Sequence, residues 1–122
     1  MPSGQADATA QAQATKEKEV KIQKAASGGG PTADPEEVSV PSDGKVSWVL
    51  DADADEWFVV MDGASPFKHH KTFFEGKGKG SKKGEKIDPD EVSNGDSFKY
   101  WIFWRDADGK VGFVDPRIVI QD

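Results

Sequence analysis

Phe98-Lys99-Tyr100-Trp101-Ile102-Phe103-Trp104-Arg105 runs into Asp106-Ala107-Asp108-Gly109 and then into Lys110-Val111-Gly112-Phe113-Val114. Two runs rich in aromatic and β-branched residues around an Asp/Gly turn predict a β-hairpin. Alternation divides the first run between two faces. Phe98, Tyr100, Ile102 and Trp104 share one; Lys99, Trp101, Phe103 and Arg105 share the other. If the first set faces a core, Trp101 and Phe103 point away from it.

The same reading extends in both directions. Downstream, Asp115-Pro116 launches a last strand, Arg117-Ile118-Val119-Ile120. Upstream, Glu37-Val38-Ser39-Val40 is a short strand stopped by Pro41, and Lys45-Val46-Ser47-Trp48-Val49-Leu50 places Val46, Trp48 and Leu50 on one face. Glu56-Trp57-Phe58-Val59-Val60-Met61 is apolar on both faces, which predicts a central strand buried on two sides. Residues 67–95 read as a long connection, because Gly76, Gly78, Gly80 and Gly84 argue against regular structure. Phe67, Phe73 and Phe74 are expected to pin it to the core, with Ile87 and Val92 doing so lower down and a helical turn over residues 87–92. Such cover is also the preferred fate for Trp101 and Phe103.

The 122 residues give room for one domain. All four Trp, the single Tyr and all seven Phe follow residue 40, so the folded unit is expected over residues 36–122. Residues 1–35 are read as a disordered, low-complexity tail and linker. Within them Val20 and Ile22 alternate with polar residues in the manner of an edge strand, or belong to a weak helix. Ser27-Gly28-Gly29-Gly30-Pro31 reads as the linker. The sum is an all-β chain, a small antiparallel β-sandwich of immunoglobulin-like or another Greek-key type.

The absence of Cys excludes disulfides, thiolate catalysis and Cys-ligated metals. Met1-Pro2-Ser3-Gly4-Gln5-Ala6-Asp7 has neither a basic nor an apolar signal region, and no stretch is long enough to span a membrane as a helix, so the expected location is cytoplasmic. Net charge is −6, yet residues 68–86 hold seven Lys against two Glu. A basic segment sits on an acidic body.

The strand pattern from about residue 37 to residue 121 resembles the cupredoxin-like sandwich. Val46-Ser47-Trp48, a polar turn and Trp57-Phe58-Val59-Val60 are similar to the family's first ligand loop. Gly95, Phe98, Tyr100, Ile102 and the closing Ile118-Val119-Ile120 are similar to its end. The resemblance implies a copper-ligating His at Trp57 or Phe58, a Cys near Ile102 and an axial Met near Val114. Apolar residues stand at all of them, so the implied domain is one that has lost its copper ligands and carries no electron-transfer role.

Four candidate sites remain. His69 and His70 are the only imidazoles, but neighbours in an extended chain point apart, and the expectation is a solvated pair with no metal. Asp51, Asp53 and Asp55 have carboxylates at alternate places, but Glu56 and Asp62 stand where a calcium loop needs Gly at its sixth and Glu at its twelfth position, so a solvated acidic turn is expected. Lys77, Lys79, Lys82, Lys83 and Lys86, in the Lys/Gly-rich segment 76–86, are the candidates for a sequence-blind contact with nucleic acid or another polyphosphate. Trp101, Phe103 and Arg105 are the candidates for a protein interface, a homodimer included; Trp101 with Trp104 is the candidate pair for stacking sugars. No arrangement of Ser, His or Asp matches a nucleophile motif. The expected function is therefore non-enzymatic and cofactor-free, a module for protein–protein interaction or structure. Polyanion binding and carbohydrate binding are the rivals.

Overall fold

The computed structural model describes residues 16–26 and 29–122. Residues 1–15 of the expected tail, and Ser27 and Gly28 of the expected linker, lie outside the described residues. Ten strands follow in order: β1 (Glu17–Lys24), β2 (Pro31–Asp34), β3 (Glu37–Val40), β4 (Lys45–Leu50), β5 (Ala54–Met61), β6 (Phe73–Lys77), β7 (Lys82–Lys86), β8 (Ser97–Asp106), β9 (Val111–Val114) and β10 (Arg117–Ile120).

They form two sheets. The smaller has four strands in the order β2-β1-β4-β7; the larger has six, in the order β3-β10-β8-β5-β6 with β9 beside β8. Each sheet is mixed, because β1 pairs with β4 in parallel and β3 pairs with β10 in parallel. Between the sheets lies the core. Val20, Ile22, Val46, Trp48 and Leu50 come from the smaller sheet, and Trp57, Val59, Tyr100, Ile102, Ile118 and Ile120 from the larger.

The hairpin forms as its sequence predicts. Asp106 Oδ1 accepts the backbone N–H of both Asp108 and Lys110, each at 2.9 Å, and Gly109 supplies the left-handed residue with φ 83°. A short Asp side chain that closes its own turn is why Asp opens this one. β9 and β10 continue in one register along the same edge of β8, since Arg105 faces Val111, Ile102 faces Val114 and Lys99 faces Arg117. The break between them falls at Asp115 and Pro116.

Two parts of the expected picture change. The sandwich begins upstream of residue 36, because β1 and β2 come from the stretch read as tail. Val20 and Ile22 are fully buried, and β1 lies between β2 and β4. Two apolar side chains suffice for a strand whose other face is solvated. The segment read as an irregular connection holds β6 and β7, which carry the chain from the larger sheet to the smaller. Its glycines serve packing here. A Cβ on Gly76 would come within 2.4 Å of the Trp57 indole, and one on Gly84 within 2.6 Å of the Val46 carbonyl oxygen. Phe67, Phe74 and Ile87 are buried as anticipated, while Val92 packs at the core's edge. At residues 87–92 there is a single turn, with the Glu91 N–H donating to the Asp88 carbonyl at 3.0 Å.

Trp48 and Tyr100 join the two halves of the core. The Trp48 Nε1–H donates to the Tyr100 hydroxyl at 3.1 Å, and burial pushes the ionisation of that hydroxyl well above the ordinary tyrosine range. Tyr100 is the only tyrosine, so its titration can be watched directly. Above about pH 10 the unfolded chain loses this proton and the folded chain keeps it. Stability from this group is therefore whole below pH 10 and falls by about 1.4 kcal/mol per pH unit above it. Tyrosinate absorbance should rise together with the loss of near-ultraviolet circular dichroism. A tyrosinate signal near pH 10 from a chain that is still folded would contradict the burial.

Candidate interaction face

The outer faces of the two sheets differ in kind. On the smaller sheet the outward positions of β1, β4 and β7 carry Glu17, Glu19, Lys21, Lys45, Lys82 and Lys86, with both acidic side chains on β1 and lysines on β4 and β7. Lys82 Nζ bridges Glu19 at 3.1 Å and Glu17 at 3.8 Å. That surface is solvated by charge.

The larger sheet presents an apolar outer face over β6, β5, β8 and β9, built by strand register. Phe73 pairs with Val60, and Val60 with Trp101, as one row. Phe58 pairs with Phe103, and Phe103 with Phe113, as the next. In the third, Lys77 pairs with Glu56, Glu56 with Arg105, and Arg105 with Val111. The rings touch across the rows: Phe58 and Phe73 have centroids 5.8 Å apart, Trp101 and Phe103 6.3 Å, Trp101 and Phe113 5.7 Å, and Phe103 and Phe113 6.0 Å. Phe73 is 46% exposed, Phe113 62% and Val111 71%. Phe58, Val60, Trp101 and Phe103 are half-buried between them. Charges frame the patch. At one end Arg105 holds Glu56 at 2.9 Å and Asp55 at 3.8 Å. At the other, Lys99 holds Asp115 at 3.3 Å and lies 4.7 Å over the Trp101 ring.

This corrects the preferred expectation for Trp101 and Phe103. The segment that was to cover them joins the sheet as β6. It sends Phe74 inward to within 4.9 Å of Trp48 and leaves Phe73 outward, so it widens the apolar face. The second apolar side of β5 is likewise surface, since Phe58 and Val60 belong to this face. Phe113 was missed as a site residue although the hairpin register already sets it opposite Phe103. Phe58, Val60 and Phe73 could be placed only once β6 was known to be a strand.

The other candidates are dispersed or occupied. Lys77 ends β6 on the apolar face, and Lys79 sits in the turn that follows. Lys82, Lys83 and Lys86 lie along β7, with Lys82 committed to Glu17 and Glu19. Trp104 is only 4% exposed, so Trp101 and Trp104 make no surface pair. Asp55 and Glu56 already face Arg105, and Asp51 accepts the Gln23 Nε2–H at 3.4 Å. His69 and His70 are exposed in a 3-10 turn (Lys68–His70), both with left-handed backbone. Among the described residues no group of three or more His, Asp or Glu is placed to hold a metal ion. A cleft of about 430 Å³ lies between the turn at residues 106–110 and the turn at residues 51–53, lined by carboxylates, Lys24, Lys110 and Trp104.

No family model and no curated protein sequence matches this chain. Solved structures do. Dithionite-reduced auracyanin from the photosynthetic bacterium Roseiflexus castenholzii aligns over 88% of this chain and 98% of its own, at 11% identity and a TM-score of 0.50. The fold is cupredoxin-like. A purple cupredoxin from Nitrosopumilus maritimus aligns over 85% of this chain and 99% of its own, at 11% identity and a TM-score of 0.47. The cupredoxin-like frame here lacks the copper ligands. Trp57 and Ile102 are fully buried core, Phe58 lies on the outer apolar face, and Val114 packs at the core's edge. None of these side chains carries an N or S donor for copper except the indole of Trp57, whose Nε1–H is spent on Ser81 Oγ at 2.7 Å. The residues do not fit a copper ion.

Proposed function

We propose that this chain is a non-enzymatic module that binds protein through the outer face of its larger sheet. The supporting observation is the continuous apolar patch of Phe58, Val60, Phe73, Trp101, Phe103, Val111 and Phe113 across four adjacent strands. At roughly 200 Å² per aromatic side chain, their exposed fractions amount to about 400–500 Å². A patch of that size falls within the ~300–600 Å² of a monomer's largest apolar patch, which is often functional, and this one is rimmed by charge. The ring geometry favours protein over sugar. Trp101 and Phe103 are tilted by only 24° from each other, but the more exposed Phe113 is tilted by 55° from Trp101 and by 39° from Phe103, which breaks a flat platform for a sugar chain and suits interdigitation with side chains.

The reading is tested by a photo-cross-linking side chain placed at Phe113 in the full chain, with Lys21 on the outer face of the smaller sheet as control. Irradiation in the native host should give discrete protein adducts from position 113 and none from position 21. Absence of adducts at 113, or equal adducts at both sites, would overturn it.

A further inference from the structure

We infer that the occupant of this face is a second copy of the same chain, packed face to face about a two-fold axis that runs parallel to the strands between β5 and β8. The inference rests on the interaction face proposed above and deepens it.

The register of the sheet carries it. Across the patch the strands lie in the order β6, β5, β8, β9. A two-fold axis along the β5–β8 boundary exchanges the two sides of that order and keeps every residue in its row. Phe58 then meets the second copy's Phe103, and Val60 meets its Trp101. Glu56 meets the second copy's Arg105, and Arg105 its Glu56. Glu56 and Arg105 therefore face their opposites twice, and Phe58, Val60, Trp101 and Phe103 face one another at the centre, while on the flanks Phe113 meets the second copy's Glu75 and Val111 its Lys77. The protruding flanks avoid collision because they occupy different rows. Phe73 stands in the row of Val60 and Trp101, and Phe113 in the row of Phe58 and Phe103, so each passes beside the other copy's opposite flank. Aligned packing of sheets tolerates this arrangement near the axis, and isologous two-fold contacts are the commonest form of assembly.

Area and charge agree. The apolar patch and its rim of Lys77, Glu75, Glu56, Arg105, Lys99 and Asp115 together approach the ~800 Å² per partner of a stable interface. With Asp55, which Arg105 also holds, the rim carries three positive and four negative side chains, so an identical face meets only a weak like-charge field. Residues 1–15 contain no aromatic residue and no Val, Ile or Leu, and Met1 is their one large apolar side chain, which offers little to match seven apolar positions.

The test is sedimentation velocity on the full chain from about 1 µM to about 1 mM, the range in which ordinary protein affinities are read. Wild type should sediment as a species of twice the 13.2 kDa chain mass. Phe113→Asp enters the contact twice, once per copy, and should raise the dissociation constant at least ~100-fold while near-ultraviolet circular dichroism stays unchanged. Lys21→Asp should leave the dimer intact. A wild type that is monomeric throughout, or a Phe113→Asp chain that is folded and as dimeric as wild type, overturns the inference. Should the wild type be monomeric while position 113 still cross-links a different protein, the dimer is lost and the interaction module stands. If position 113 cross-links nothing, both fall.

Discussion

Trp48→Ala is expected to lower the stability of this chain by about 4 kcal/mol, an effect near the top of the range for a core truncation. Trp48 is fully buried in β4. Its indole meets Phe74 at 4.9 Å, Tyr100 at 5.5 Å and Phe67 at 5.8 Å between ring centroids. These rings come from the β8 strand, the β6 strand and the segment that precedes the 3-10 turn, so one side chain ties both sheets to the crossover. Truncation removes the largest apolar group in the middle of the sandwich and opens a cavity that three ring systems on different elements cannot close together. It also leaves the Tyr100 hydroxyl without the indole donor it accepts at 3.1 Å, which costs about a further 1 kcal/mol. Against a total of roughly 5–15 kcal/mol for a domain, that loss is large. Urea denaturation followed by far-ultraviolet circular dichroism should show the shift. Trp48→Phe should recover most of it, because it restores packing and loses only the hydrogen bond. Trp101→Ala, measured below any dimerisation threshold, should cost under about 1 kcal/mol, the scale of a surface aromatic pair. A Trp48→Ala chain as stable as Trp101→Ala would mean that the inner and outer faces have been exchanged.

That contrast shows what could be read from residues alone. Local pattern was sufficient wherever one element carried its own instructions. The alternation in β8 separates Tyr100, Ile102 and Trp104 from Trp101, Phe103 and Arg105 without reference to any other strand. The Asp106 side chain and Gly109 specify the turn. The missing copper donors are legible for the same reason, since each is a matter of which residue occupies one position. What failed depends on pairing at a distance. β1 is a strand because β4, more than twenty residues further on, offers it a parallel edge and a buried place for Val20 and Ile22; nothing in its own sequence decides between that and a weak helix. The apolar outer face was half legible for a similar reason. Trp101 and Phe103 were visible in β8, but whether they were covered turned on where residues 67–95 travelled. An apolar second side on β5 predicts burial on both sides, which is the common case for a central strand. Here that second side is surface, and it supplies Phe58 and Val60 to the outer apolar face.

Gly76→Ala is the second large effect and probes the misread segment directly. A methyl group at position 76 would lie 2.4 Å from ring atoms of Trp57, including Nε1. The indole has no room to retreat. It is fully buried, and its Nε1–H donates to Ser81 Oγ at 2.7 Å, while Ser81 Oγ in turn donates to the Gly78 carbonyl at 2.7 Å. Relief must come from β6 moving away from β5, its only neighbour in the sheet. Overpacking of this kind costs about 2–3 kcal/mol, and Gly76→Val should exceed it. Lys77→Ala, one residue on and exposed, should stay within about 0.5 kcal/mol. Because Phe73 rides on the same strand, amide hydrogen exchange in Gly76→Ala should quicken along β6 and along the edge of β5 before the rest of the larger sheet opens. If instead Gly76→Ala were as stable as wild type with unchanged exchange, residues 73–77 would be the loose lysine- and glycine-rich connection that their composition implies, and the apolar face would lose one of its four strands.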